Sequence, residues 1–457
     1  MRNKKPKNCG ITCIIHCFFV TSHRLKNIHN MTNILYKKRI TDLILERRLQ
    51  GKGAILIEGP KWCGKTTTAK QYAKSILDLG DSIILSNAQI ALQVNPKSLL
   101  LGDTPRLIDE WQTVPSLWDM VRSEVDRRQN VGQFILTGSS VPIEQEKIVH
   151  SGTGRIGRIT MRPMSLWESG ESNGSVSLND LFEGKNIEVQ NNNLTLEDIA
   201  YLICRGGWPK ATLLNKNIAL DEAFDYYEAI YKTDIHRVDN VRRNSERTRL
   251  LLRSYARNQG SSVSLNLLAN DIKNNDNVSI TYETVSDYID ALKKLFVIED
   301  MPAWNPNLRS KSAIQTSDTR YFVDPSIAVS ALSIGPSDLI NDLQTFGLFF
   351  ESMAVRDLRV YADALQGNIF HFRNAAGLEC DAILHRRNGT YGLIEIKLGG
   401  ANLIEKGAKT LLNLANKIDK DKMLMPSFLM VLTAIGDYSY QRPNDGVWVV
   451  PIGCLKP

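Results

Sequence analysis

Several things are scarce in this sequence, and each scarcity narrows what the chain can be. Nowhere in its 457 residues is there an apolar run of 18 or more, so no segment is long enough to cross a bilayer as a helix. Cysteines number seven. Cys9, Cys13 and Cys17 crowd the first 17 positions, while Cys63, Cys204, Cys380 and Cys454 are scattered. An odd, scattered set excludes a disulfide framework and points to a reducing compartment. The Cys9/Cys13/Cys17 spacing is open to a metal reading, but no fourth ligand pattern follows it. Charge is not one-sided either. A net charge of +7 and a pI near 8.9 are compatible with a nucleic-acid partner without requiring one. With 43% hydrophobic and 23% charged residues the composition is that of an ordinary globular chain, and the length predicts two to four domains.

The N-terminus "MRNKKPKNCGITCIIHCFFVTSH" has a basic start and a short apolar run, as a signal peptide does. The run is too short to span a membrane, and no small-residue cleavage pattern follows. Met31 opens a more ordinary stretch with apolar residues at helical spacing. Residues 1–30 are therefore expected to be a dispensable leader or the product of a misplaced start, with Met1 and Met31 as the alternatives.

"IEGPKWCGKTTTAKQYAKS" carries the strongest local signal. Gly59-x4-Gly64-Lys65-Thr66 has the Walker A spacing. Ala54–Ile57 reads as a buried parallel strand before it, and 67–77 as a helix after it. That order is what phosphate binding requires. Gly59, Pro60, Lys61, Trp62, Cys63, Gly64 and Thr67 surround the phosphates at the helix start, and all but Pro60 have a backbone N–H to offer. Lys65 neutralises the β/γ-phosphates and the Thr66 hydroxyl ligates Mg²⁺. In "RLIDEWQ", an apolar strand ends in Asp109, expected to hold Mg²⁺, and Glu110, expected to polarise the attacking water. An Asp-Glu pair at a strand end is also common without any such role. "QFILTGSS" gives another buried strand whose polar end offers Ser139, or Thr137, as a γ-phosphate sensor. In a parallel sheet these strand ends converge on one ligand site. Arg155, Arg158 and Arg162 follow. Arg155 or Arg158 is a candidate arginine finger, with surface ion pairing as the equal alternative.

Taken together, IEGPKWCGKTT, RLIDEWQ, FILTGSS and GRIGRITMRPMSLWE resemble the AAA-type ATPases of bacteria and archaea that carry an appended C-terminal domain of unknown function. The resemblance runs from about Ile34 through most of the chain. It implies ATP as ligand, Mg²⁺, ATP hydrolysis in the cytoplasm, and a restriction-endonuclease-like C-terminal domain. "CRGGWPKA" resembles a recurrent motif of the same family and reads as structural, with Trp208 packing a tight turn at Gly206-Gly207.

The rest of the chain divides by composition. Residues 169–197 are polar and Asn/Gly/Ser-rich, a linker signal. Helical periods fill 221–300, and "FVIEDMPAW" reads as a strand. Helix, turn, helix and strand in this order resemble a winged helix. It would set Thr281, Tyr282, Thr284 and Lys293 near a DNA groove, or else serve contacts between domains. Glu283, Asp287 and Asp290 on the same helix oppose phosphate binding. The run His236–Arg253 is more basic, through Arg237, Arg242, Arg243, Arg247, Arg249 and Arg253.

The last candidate site is "ECDAILHRRNGTYGLIEIKLG", two strands about a tight loop. Glu395 and Lys397 are two apart and share one face. A three-residue loop, Arg387-Asn388-Gly389, sets Asp381 opposite Glu395, whereas a two-residue turn points it away. Gly389 suits the left-handed last position of the longer loop, which is the one expected. Asp followed by Glu-x-Lys is the PD-(D/E)xK constellation, with Cys380 where a strict motif has proline. Any half-buried strand also alternates this way. The resemblance places Glu351, Asp381 and Glu395 as metal ligands, with Glu395 and Lys397 catalytic. Glu379 is a further acid nearby.

The fold expected is α/β: a leader (1–30), an AAA-type P-loop core (31–168), a linker (169–197), a helical, winged-helix-like region (198–335) and a nuclease-like α/β domain (336–457). The expected partners are ATP, DNA, and a protein partner or further copies of the chain, with no membrane. The alternative is a nucleotide-dependent switch whose C-terminal domain recognises DNA or protein without cutting.

Overall fold

Short runs with apolar centres form the first sheet. β1 (Ala54–Glu58), β2 (Ser75–Asp78), β3 (Arg106–Asp109), β4 (Phe134–Gly138) and β5 (Ile156–Thr160) are all parallel, in the order β2-β3-β4-β1-β5. Every residue of β4 and the first four of β1 are buried, as expected for strands covered on both faces. The structure is a computed structural model, and it describes residues 36–140, 151–187, 191–239, 241–309 and 314–457. The leader expected at 1–30, with its three cysteines, lies outside the described residues. Arg39–Pro457 forms one compact unit, and residues 36–38 belong to a separate N-terminal one.

Two sequence expectations fail here for a common reason. The helix expected to reach Leu77 runs only over Lys65–Tyr72. Ile76 and Leu77 instead pair with Leu107 and Ile108 as part of β2, because sheet pairing buries them better than one more helical turn. Likewise, 169–197 is not a free spacer. β6 (Val176–Ser177) pairs with the last strand of the chain, Leu455–Lys456, and Val176, Leu178 and Leu181 are buried. Residues 188–190 lie outside the described set. Three apolar side chains at the right spacing outweigh a polar average.

In the middle region three helices follow one another: Ser245–Arg257, Leu265–Asp276 and Tyr282–Lys294. "FVIEDMPAW" is not a continuous strand. It makes single antiparallel bridges, Ile298 with Phe322 and Met301 with Thr319. The end of this run docks on the C-terminal domain. The Trp304 backbone N–H donates to the His371 carbonyl (2.7 Å), and the Trp304 ring lies 4.9 Å from that of Tyr391.

A 22-residue helix, Leu343–Ala364, opens the C-terminal domain. β7 (Gly367–Arg373), β8 (Glu379–Arg386) and β9 (Tyr391–Lys397) form an antiparallel meander. Helix Ala401–Lys417 then crosses to β10 (Phe428–Thr433), parallel to β9. β11 (Tyr440–Gln441) and β12 (Trp448–Pro451) complete a sheet in the order β11-β12-β10-β9-β8-β7.

Candidate functional site

Because β4 lies between β1 and β3, three strands deliver their carboxyl ends to one spot. β1 runs into the glycine loop. Gly59 (φ +153°) passes so close to the chain after β5 that a Cβ there would sit 2.1 Å from the Met161 carbonyl oxygen. Gly64 (φ +100°) adopts the left-handed conformation that turns the chain into helix Lys65–Tyr72. The N–H groups of that helix's first turn have no partners within the helix. Lys65 is buried, and its ammonium donates to the carbonyls of Gly59 (3.0 Å) and Pro60 (2.7 Å). Thr66 Oγ1 donates to Asp109 Oδ1 at 2.8 Å, and Thr137 Oγ1 donates to the same oxygen. Glu110 takes a left-handed backbone (φ +54°) that turns its carboxylate toward β4, where it accepts from Ser139 Oγ (3.2 Å) and from Gln112 Nε2. Lys65, Thr66, Asp109, Glu110, Thr137 and Ser139 are thus brought together.

Two further loop residues face outward and are tied to the middle region. Lys61 pairs with Asp234 at 2.6 Å, and the Trp62 ring lies 5.4 Å from that of Tyr226. Cys63 is buried, with its thiol directed at the Met161 carbonyl. Arg155 and Arg158 do not join this cluster within the chain. Arg155 pairs with Asp126 (2.8 Å), and Arg158 pairs with Glu58 (3.1 Å) and lies over Trp118. Arg162 is largely buried, between Glu299 and Asp363 of the later regions.

One residue of this site carries no sequence signal. Arg39 donates to the Cys63 carbonyl (2.7 Å), to Glu168 (3.0 Å) and to the Arg162 carbonyl (2.8 Å). Its partners lie up to 129 positions away, so no local pattern reveals it. Gln112 was within reach of sequence reasoning, since it stands two residues after Glu110.

The second cluster forms on the C-terminal sheet. The β8–β9 loop has three residues: Arg386 N–H donates to the Thr390 carbonyl (2.9 Å), and Gly389 takes φ +87°. The register sets Ala382 opposite Ile394 at the end of the paired stretch, so Asp381 comes next to Glu395 just beyond it. Lys397 Nζ lies 2.7 Å from Asp381 Oδ2 and 2.7 Å from Glu395 Oε2. Asp381 also accepts the Ile396 N–H (2.7 Å). Glu351 comes in from helix Leu343–Ala364 and accepts from Tyr321 Oη at 2.6 Å. Burial, then the Asp381 charge, pushes the Glu351 carboxyl up to about 8, and the same two causes push Glu395 up to about 8. Burial opposes a charged Lys397, but the Asp381 and Glu395 carboxylates outweigh it and raise its pKa above the usual lysine value. Among the described residues no group of three or more His, Cys, Asp or Glu is arranged to hold a metal ion. Here Lys397 occupies the position between the acids. Glu379 faces elsewhere and pairs with Arg373 (2.8 Å).

Three of the six arginines in the basic run of the middle region are ion-paired. Arg243 pairs with Asp239 and Asp287, Arg249 with Glu246, and Arg253 with Asp276. On the expected groove helix, Lys293 is tied to Asp300 (2.7 Å) and Thr281 serves as the N-cap. No helix among the described residues is long and apolar enough to cross a membrane.

Against known proteins, residues 51–169 match an AAA domain, 196–338 a domain of unknown function (DUF8612) and 346–455 a second domain of unknown function (DUF4143). Two uncharacterised proteins, from Mycobacterium bovis and Mycobacterium tuberculosis, are each 27% identical over 141 residues. These matches cover 30% of this chain and 32% of each relative. Among solved structures the chain is similar to a Walker-type ATPase of Pyrococcus abyssi, with 15% identity and a TM-score of 0.41 over 66% of this chain and 97% of that one. It is also similar to the Aeropyrum pernix ORC1 protein in complex with DNA (14%, 0.22, 66% and 92%). A third is a STAND protein with a tetratricopeptide repeat sensor from Pyrococcus horikoshii (12%, 0.24, 72% and 48%). The AAA match and the parallel core support an ATPase-like, nucleotide-binding P-loop domain.

Proposed function

We propose that the chain binds and hydrolyses ATP with Mg²⁺ at the centre formed by Lys65, Thr66, Asp109 and Glu110, and that its C-terminal domain uses the nucleotide state to bind or cleave nucleic acid. One observation carries this: Thr66, Asp109 and Thr137 meet at one oxygen, with Glu110 and Ser139 beside them, at the carboxyl end of a parallel sheet and against a glycine loop.

The loop is ready for phosphate. Lys65 already lies along it, and binding would exchange the Gly59 and Pro60 carbonyls for phosphate oxygens. The donor set around Asp109 consists of hard oxygens, which suits Mg²⁺. Thr66 and Asp109 would hold the ion, whose chemistry is to neutralise charge on the β/γ-phosphates. Glu110 is held as a proton acceptor for water by two hydrogen bonds, and Ser139 stands where a γ-phosphate contact is expected. Arg155 and Arg158, both on the surface, are left as finger candidates toward another copy.

For the C-terminal domain, the helix-meander-helix-strand order and the shared face of Asp381, Glu395 and Lys397 support a PD-(D/E)xK-like domain. The three helices with a bridged ribbon support a winged-helix-like region, used at least in part against β7. A second reading is favoured by the placement of Lys397 between the acids: a domain that recognises DNA or protein without cutting.

Titration with a fluorescent ATP analogue, followed by phosphate release, tests the first part. Lys65→Ala should lose binding, and Glu110→Gln should keep binding and lose turnover. Binding untouched by Lys65→Ala sinks the reading. Labelled single-stranded, duplex and branched DNA, incubated with Mg²⁺ or Mn²⁺ with and without ATP, tests the second part. Cleavage absent in Asp381→Ala assigns a nuclease, and no cleavage by the wild type assigns the recognition domain.

A further inference from the structure

Helix Ser82–Val94, "SIILSNAQIALQV", has no charged residue in 13 positions. One face meets the core through Ile84, Leu85, Ala88, Ala91 and Leu92. The opposite face also carries large apolar side chains. Ile83 is 71% exposed, Ile90 62% and Val94 81%, and the exposed Asn87 lies on the same stripe between Ile83 and Ile90. Positions 83, 87, 90 and 94 follow the i, i+4, i+7, i+11 spacing of one continuous stripe. An uncharged helix with branched apolar side chains on both faces is normally covered on both. The three large side chains alone expose on the order of 300–400 Å², the size at which apolar patches on monomers are usually functional. The helix follows β2, the edge strand of the sheet, and the stripe is exposed from the rest of the described chain.

We propose that this stripe is the contact between two copies of the chain, packed antiparallel about a two-fold axis. The charges at its ends select that occupant. Asp81 caps the helix start through one carboxylate oxygen, which accepts from the N–H groups of Ile83 and Ile84. Lys97 is exposed just past the helix end, in the short turn Pro96–Leu100. Antiparallel pairing brings Asp81 of each copy to Lys97 of the other, twice by symmetry, and opposes the two helix dipoles. Ile83 then meets Val94 at both ends of the seam, and Asn87 and Ile90 of the two copies flank the axis. One polar side chain within an apolar seam fixes register at some cost in affinity, and the Asn87 amide is placed to do so. The stripe offers no cation to a phosphate backbone. Its inner face is core rather than the basic face of a membrane-surface helix. The three side chains of two copies would bury about 600–800 Å² in total, below the standard interface size, so the dimer is weak, reversible and concentration-dependent.

Sedimentation equilibrium of the full chain from about 1 to 100 µM covers the range expected for such an interface. The wild type should show monomer–dimer exchange. Ile90→Asp sets two carboxylates near the axis and should weaken the dimer at least about tenfold, with an unchanged melting temperature because the site is on the surface. Lys97→Asp should weaken it severalfold at low salt and less at high salt. Adding Asp81→Lys to Lys97→Asp should recover most of that loss. A full chain that stays monomeric throughout overturns the dimer, as does one whose association ignores Ile90→Asp. If removing residues 1–30 is what permits association, the stripe is covered by this chain's own N-terminal segment and the dimer is likewise overturned.

Discussion

Replacing Arg162 with methionine asks how the regions of the chain are held together. The Arg162 side chain is 11% exposed and reaches Glu299 at 2.5 Å and Asp363 at 2.6 Å. Removing one partner of a fully buried ion pair costs about 3–5 kcal/mol, whereas an exposed pair contributes about 0–1 kcal/mol. Glu299 and Asp363 are 29% and 37% exposed, so both regain some water once Arg162 is gone. Glu299 also keeps Arg359 at 3.7 Å. The expected loss therefore falls between the limits, at about 2–3 kcal/mol. With an unfolding entropy of roughly 2 cal/mol/K per residue over about 400 residues, that lowers Tm by about 3 °C. The pH dependence has a definite sign. Burial works to raise the Glu299 carboxyl, but Arg162 and Arg359 outweigh it and hold it at about 2 against an ordinary 4.5. A depressed carboxylate contributes stability above the unfolded value and loses it as pH falls toward the folded one. The gap between wild type and Arg162→Met should be full at neutral pH and narrow below about 4.5. Asp363 moves oppositely: burial raises it and Arg162 only partly offsets this, so without Arg162 it takes up a proton more readily and softens the loss. Scanning calorimetry across this range measures both effects, with Arg162→Lys falling between because one ammonium cannot replace a fork of donors. A Tm change under about 1 °C at neutral pH, or a gap that does not narrow in acid, refutes the clamp.

Four further outcomes are expected. Gly59→Ala should abolish nucleotide binding or folding, because its Cβ would meet the Met161 carbonyl oxygen at 2.1 Å; circular dichroism and analogue titration distinguish the two. Gln112→Ala should lower turnover about tenfold with little change in KM, since Gln112 contacts Glu110 rather than the phosphate loop; an effect confined to KM counts against it. Burial and the Asp381 charge hold the Glu351 carboxyl well above its ordinary value, so it costs the fold stability as pH rises above about 4.5; Glu351→Gln should flatten that slope in urea titrations, and an unchanged slope refutes the assignment. Trp304→Ala should destabilise the contact with β7 by about 3–5 kcal/mol, read as an early separate transition; a wild-type unfolding profile argues that this contact holds nothing.

What was legible in the sequence was local. Gly59, Gly64 and the flanking apolar run sit within a dozen positions, so steric need and hydrophobic period state strand, loop and helix together. The β8–β9 loop was legible for the same reason, since a left-handed glycine at Gly389 fixes the register that brings Asp381 next to Glu395. Strand order was not legible. Nothing near β4 says that it lies between β1 and β3, which is what carries Thr137 to Asp109. The linker at 169–197 misled because its partner is the last strand of the chain, at Leu455. Tyr321 escaped notice because a tyrosine in an apolar run reads as core until Glu351 is found against its hydroxyl.

Two sets of contacts leave the phosphate loop, and they differ in how easily they break. Arg39 binds the Cys63 carbonyl, but it is also held by Glu168 and by the Arg162 carbonyl, and its side chain is buried. A loop movement would break the single Cys63 contact sooner than drag Arg39 and, through Arg162, the Glu299–Asp363 cluster. That path is a brace. The other set is the Lys61–Asp234 pair and the Trp62–Tyr226 ring contact, both at the loop's outer side. The Lys61 side chain is partly exposed and Asp234 is buried, so breaking this one pair costs between the exposed and fully buried limits, roughly 1–3 kcal/mol, and the tilted ring contact adds about 1 kcal/mol. On the proposed reading, phosphate binding would reorganise the same stretch, because Lys65 would leave the carbonyls of Gly59 and Pro60, the two residues just before Lys61. A nucleotide-dependent change of loop shape would therefore pass toward Tyr226 and Asp234, and so toward helix Lys216–Lys232 of the middle region, while Arg39 and Arg162 tie the P-loop domain to Glu168, to Glu299 and to Asp363 on helix Leu343–Ala364.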